Sequence, residues 1–81
     1  MGVPKQNNNI VGKRVKKARL ALRPKISQDA LSGRLAGRGV TVDRAGIAKI
    51  EAGQRYVSDF EVKALAAALG VKVGWLLGAE S

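Results

Sequence analysis

The chain contains no cysteine and no histidine. A disulfide framework is therefore excluded, and so is a Cys- or His-based zinc site. Ser–His, Cys–His and histidine general-base chemistry are excluded with them. Acids are scarce, with six Asp and Glu against 15 Lys and Arg. The six are scattered, and most stand where helix caps would want them, so the chain is read as no enzyme, with no cofactor and no metal site. Aromatics make up 4% of the chain (Tyr56, Phe60 and Trp75), and a chain this small is expected to need all three inside. No apolar run approaches the roughly 20 residues of a membrane span. The start, Met1-Gly2-Val3-Pro4-Lys5, lacks an apolar signal core. It begins Met-Gly, but residue 6 is Gln, so the myristoylation pattern is not met. The simplest reading is a cytoplasmic protein of bacterial or phage origin.

What the chain does have is positive charge, a net +9 over 81 residues. One domain fits this length, with a small core. The charge is uneven. Residues 1–26 hold Lys5, Lys13, Arg14, Lys16, Lys17, Arg19, Arg23 and Lys25 and no acid, whereas from Tyr56 onward Lys63 and Lys72 are outnumbered by Asp59, Glu61 and Glu80. Such an excess suits a polyanion: DNA, RNA or an anionic membrane surface.

Local signals give five helices and no competing strand pattern. Residues 1–9, with Pro4 and Asn7-Asn8-Asn9, read as a flexible arm, and Asn9 as a cap. A first helix is predicted over about Ile10–Leu22, with Val11, Val15, Ala18 and Leu22 on one stripe and Pro24 ending it. The second opens on Ser27 with an Ile26–Leu31 staple and turns Leu31 and Leu35 inward. Gly33 inside it is expected to permit close packing, and Gly37-Arg38-Gly39 to break it. The third starts at Asp43 with a Val42–Ile47 staple and ends at Gly53. The fourth opens on a capping box, Ser58-Asp59-Phe60-Glu61, with a Val57–Val62 staple, and closes at Gly70. A short fifth is expected from about Lys72 to Leu77, with Trp75 mostly core. The domain spans 10–78, and 79–81 form a tail.

Two consecutive short helices in a basic chain, Ser27 to Arg55, have the layout of a helix-turn-helix, whose second helix enters the DNA major groove. On four segments the chain resembles the lambda-repressor-like and Cro-like (XRE-type) helix-turn-helix domains. They are Gly12-Lys13-Arg14-Val15-Lys16-Lys17-Ala18-Arg19; Ser27-Gln28 with Leu31 and Leu35; Ile47-Ala48-Lys49-Ile50-Glu51-Ala52-Gly53-Gln54-Arg55; and Leu65-Ala66-Ala67-Ala68-Leu69-Gly70-Val71 with Trp75-Leu76-Leu77. The resemblance covers about Ile10–Leu77. It implies an all-α, compact five-helix domain with its helix-turn-helix at helices 2–3. It also implies a sequence-specific regulator of transcription, a repressor by preference, that binds a palindromic operator in double-stranded DNA as a homodimer through its C-terminal region. One departure stands out: twelve positions separate Leu35 from Ile47, where the family's tight turn takes about seven.

The candidate contacts follow from helix geometry and from the resemblance. With Ile47 and Ile50 inward, Ala45 points most directly outward, flanked by Ala48, Lys49 and Ala52, with Arg44 at the N-terminal edge. Arg44 would bond guanine O6 and N7, Ala45 would pack on a thymine methyl, and Lys49 would reach a guanine or a phosphate. The resemblance implies phosphate contacts from Gln28 and from Gln54 and Arg55. The lengthened connector places Arg38 and Thr41 either to touch the DNA backbone or to do nothing, and Lys13, Lys16, Lys17 and Arg38 are the weaker candidates. Arg19 and Glu51 match the family's structural ion pair. An ordinary solvated helix face is the plain alternative for the outward residues.

Two other functions compete. An antitoxin-type protein-interaction module uses the same fold and would show an exposed apolar patch or a binding tail. A nonspecific nucleic-acid or RNA binder would show stacking aromatics on its surface, against the expectation that all three are buried. A membrane-surface helix is the poorest fit, because the first helix needs its apolar stripe for the core.

Overall fold

The computed structural model describes the backbone of residues 3–80 and the side chains of residues 10–80. Five helices follow one another: α1 Val3–Ala21, α2 Gln28–Ala36, α3 Arg44–Glu51, α4 Asp59–Leu69 and α5 Val73–Leu76. Among the described residues there is no strand.

Helix starts stand where the capping residues put them. Ser27 accepts from the Ala30 amide at 3.0 Å, and Asp43 accepts from the Gly46 amide at 2.8 Å. The Ser58–Glu61 box closes in both directions, with 3.2 Å from the Glu61 amide to Ser58 Oγ and 3.1 Å from the Ser58 amide to Glu61 Oε1. Gly53 (φ 72°) and Gly70 (φ 71°) end α3 and α4 in the left-handed conformation that a glycine reaches without steric penalty. At the C-terminus of α1, the Arg23 guanidinium donates to the carbonyls of Leu20 and Leu22 at 3.2 and 3.1 Å. A cation there also suits the helix dipole.

The start of α1 differs from the sequence reading. Met1, Gly2 and Ser81 lie outside the described residues, but the backbone of 3–9, expected as an arm, continues α1. Pro4 is no obstacle, since a proline is accommodated in a first turn, where its missing N–H has no partner to lose. Asn9 is therefore interior to the helix rather than its cap. The tail also has structure: the Ala79 amide donates to the Gly74 carbonyl at 2.8 Å, and Arg14 donates to the Glu80 carbonyl at 2.8 Å.

The core is one cluster drawn from all five helices. Val15, Leu31, Leu35, Ile47, Ile50, Leu65 and Leu76 are fully enclosed. Val11 and Ala18 of α1, Val62, Ala66, Ala68 and Leu69 of α4, Val40 and Val42 of the α2–α3 connector, and Val57 ahead of α4 complete it. Trp75 packs against its edge, with the Arg14 guanidinium 4.9 Å from the ring centroid and bonded to the Trp75 carbonyl at 2.7 Å. The other two aromatics depart from expectation. Tyr56 is 64% and Phe60 62% exposed. Around the start of α4 it is Val57 and Val62 that are buried. Gly33 departs too, because a Cβ there would meet nothing. Close approaches occur instead at Gly12, where a Cβ would collide with the Ile50 carbonyl, at Gly46, where it would come within 2.8 Å of Val42 Cγ1, and at Gly74 and Gly78, against Glu80 and Ile10.

Candidate nucleic-acid interface

Helix α3 turns Ile47 and Ile50 into the core and leaves Arg44, Ala45, Lys49 and Ala52 exposed, with Ala48 half-buried. The outward face is thus small in its middle and cationic at its borders. Its N-terminal edge adjoins the start of α2. Arg19, Ser27, Gln28, Asp29 and Arg44 line one shallow groove of about 380 Å³. The groove thus brings the start of α2 beside the basic Arg44, with the acidic Asp29 in the same lining.

The C-terminal end of α3 is tied to both preceding helices. Arg19 donates to Glu51 through Nε at 2.7 Å and Nη2 at 3.0 Å, and its Nη1 donates to the Ile26 carbonyl at 2.9 Å. The two side chains are only 10% and 4% exposed. The hydrogen bond to Glu51 raises the Arg19 pKa above its already high usual value, burial opposes this, and the Glu51 charge adds to it. Gln28 is a third member, its Nε2 donating to Glu51 Oε1 at 3.0 Å. One of its amide hydrogens is therefore committed to holding α3 and the other is available for a ligand.

Arg55 is more engaged than the sequence suggested. Its guanidinium pairs with both oxygens of Glu61, at 3.1 and 2.9 Å. It also lies 4.0 Å from where a Gly46 Cβ would stand, beside the start of α3. The Glu61 hydrogen bond is the largest cause of its raised pKa. The same bond holds Glu61 below the usual carboxylate range against its partial burial, with help from Ser58. Its charge is thus neutralised within the fold, whereas Gln54 beside it is exposed.

The connector is 37–43. Val40 and Val42 are buried and Thr41 between them is exposed, as is Arg38. The Val40 amide donates to Leu35 O at 3.0 Å, and Ser32 Oγ donates to Val42 O at 2.6 Å. Ser32, Gly46, Gly12 and Glu61 are the positioning residues that sequence reasoning missed. Only Glu61 carried a signal, as half of a capping box. Lys13, Lys16 and Lys17 are exposed on α1, on the sides its core stripe leaves free.

A helix-turn-helix family model, HTH_3, matches residues 15–76. The chain belongs to the helix-turn-helix family. No curated protein matches it. Among solved structures it is similar to the restriction-modification controller protein C.AhdI from Aeromonas hydrophila, with 28% identity, a TM-score of 0.74, and coverage of 89% of this chain and 94% of that one. Family and likeness together make this helix-turn-helix chain a DNA-binding regulator of transcription. No described helix is long and apolar enough to cross a membrane.

Proposed function

We propose that the chain reads double-stranded DNA through the major groove with α3 and that it acts as a repressor. The observation that carries this is the outward face of α3: Ala45 and Ala52 let the helix seat deeply, while Arg44 and Lys49 border it. Arg44 reads a guanine, Ala45 and Ala48 line the groove floor, and Lys49 reaches a guanine or a phosphate. Gln28, Arg38, Thr41 and Gln54 contact the sugar–phosphate backbone. Arg55 serves the site chiefly through Glu61. Residues 10–78 form the binding unit. It is not an enzyme, and it works in the cytoplasm of a bacterium or in the service of a phage. The likeness to a restriction-modification controller supports a regulatory role of this kind.

Two copies bind a palindromic operator. Ile10 (38% exposed), Val73 (37%) and Leu77 (43%) leave apolar surface near the C-terminal end, and Ile10 lies against Gly78, which supports self-association there. Half-sites would then recur about 34 Å apart.

The test is selection from a random duplex pool at physiological salt, followed by sequencing. An enriched palindrome supports the reading, and its spacing gives the dimer geometry. Tyr56 and Phe60, both exposed, carry the sign named above for two other readings: surface aromatics for a nonspecific nucleic-acid binder, and exposed apolar surface for a protein-interaction module. Weak binding with no enriched motif would move the charge into a nonspecific role and make the protein-interaction reading the leading one.

A further inference from the structure

The lengthened connector raises a physical question. A short turn between two helices fixes their angle by its own brevity, whereas a seven-residue connector gives the second helix play. Something else must hold α3 in place if its outward face is to meet bases in register.

Ser32 stands mid-helix in α2, at a position where a serine weakens the helix and its hydroxyl ordinarily bonds back to the carbonyl four residues earlier. Here the hydroxyl leaves the helix and donates to the Val42 carbonyl at 2.6 Å, the short end of the range for such bonds. Val42 is itself buried and is the last residue before the Asp43 cap of α3. Its side chain lies over Gly46, in the space a Cβ would contest. A continuous run of contacts therefore passes from α2, through Ser32 and Val42, to the first turn of α3. Val40 fastens the start of the connector, buried and bonded to Leu35 O. Between the two valines Thr41 faces solvent, next to the N-terminal edge of the reading helix.

We propose that Ser32 is a positioning residue for DNA reading: its bond to the Val42 carbonyl replaces a tight turn as the device that sets how α3 and Thr41 are presented. The inference rests on the DNA-reading function proposed above. Removing the hydroxyl should leave the fold and the exposed lysines in place. It should loosen the N-terminal end of α3, where Arg44 and Thr41 stand.

The experiment measures affinity for the selected duplex and for a scrambled duplex of equal length, for wild type, Ser32→Ala and Ser32→Thr. The expected result is that Ser32→Ala lowers the ratio of the two affinities about tenfold, the discrimination of one well-placed base contact. Affinity for the scrambled duplex and its salt slope should not change, and Ser32→Thr should restore the ratio. By hydrogen exchange, the Gly46 and Ile47 amides should open faster in Ser32→Ala relative to those of Leu65–Leu69. A ratio within twofold of wild type overturns the inference, as does an equal loss on both duplexes. If Ser32→Ala does not fold, Ser32→Cys, near in volume and a weaker donor, is expected to lose part of the ratio, and an unaltered ratio overturns the inference. A wild type with no sequence preference overturns the DNA-reading function as well. A discriminating wild type whose preference survives loss of the hydroxyl overturns the role of Ser32 alone.

Discussion

Substituting Arg19 by Ala tests the central tie. The substitution removes both donors to Glu51 and the donor to the Ile26 carbonyl. Glu51, 4% exposed, is left with only the Gln28 amide at 3.0 Å. An ionised carboxylate in that setting has lost its counter-charge without regaining water, and removing one partner of a buried pair costs about 3–5 kcal/mol. For 81 residues the whole folding stability is expected at about 4–12 kcal/mol. The variant should therefore lose about a quarter of its stability or more, and its Tm should fall by on the order of 12–40 °C. The assay is thermal and urea unfolding against Lys17→Ala, which removes the same charge from an exposed position and should stay within about 0.5 kcal/mol of wild type. The double variant Arg19→Met/Glu51→Met should recover most of the loss, since apolar replacement of both partners removes the stranded charge. If Arg19→Ala loses less than about 1 kcal/mol relative to Lys17→Ala, the pair is not the lock described here.

Gly12→Ala places a Cβ against the Ile50 carbonyl, a backbone atom that cannot swing away, and should cost about 1–3 kcal/mol by urea unfolding. Gly33→Ala meets open space on a helix and should raise stability by about 0.5–1 kcal/mol, so an unchanged midpoint would contradict the packing described. Glu61 has a folded pKa below its unfolded one, so its contribution is present above the unfolded value of about 4.3 and is lost as pH falls through the lower folded value. Glu61→Gln should thus be less stable at neutral pH, and its deficit should shrink in acid, read from unfolding curves at several pH values. Arg44→Ala should reduce discrimination at one base position by about 1–3 kcal/mol in competition binding, whereas Lys16→Ala should weaken all duplexes alike and shallow the salt slope by about one unit if it meets a phosphate.

The order of elements was legible because the signals that set it are local. Ser27, Asp43 and Ser58 each offer a short side-chain acceptor to an amide within one turn, and Gly53 and Gly70 each relieve a left-handed residue. The Arg19–Glu51 pair was legible by resemblance. What escaped depends on contacts between distant segments. Gly12 and Gly33 look alike in sequence, but one faces a backbone carbonyl and the other nothing. Ser32 looks like an ordinary helical serine until the connector folds back over it. The scarcity of aromatics predicts Tyr56 and Phe60 inside, yet it is the neighbouring aliphatics Val57 and Val62 that are buried. By resemblance Arg55 reads as a phosphate contact, whereas its guanidinium is held by Glu61, which the sequence shows only as a cap.

Eight residues make too short a helix to stand alone, since isolated helices below about 12–15 residues are marginal in water. The presentation of α3 must therefore come from its neighbours, and they hold it at three places. Glu51 is gripped from α1 and α2, Gly46 lies beneath Val42 and its Ser32 anchor, and Arg55 braces the following loop on Glu61. None of these ties spends Arg44 or Lys49. The free lysines of α1 are separate again. Two kinds of variant should follow. Losing a surface cation lowers affinity for every duplex by a similar factor, because phosphate attraction carries no sequence information. Weakening a tie moves α3 by a fraction of a turn and leaves the charge in place, so it erodes preference while nonspecific affinity persists. Plotted as specific against nonspecific affinity, cation variants should follow the diagonal and tie variants should fall away from it along the specific axis. Tie variants lying on the diagonal would mean that α3 is held by the core alone.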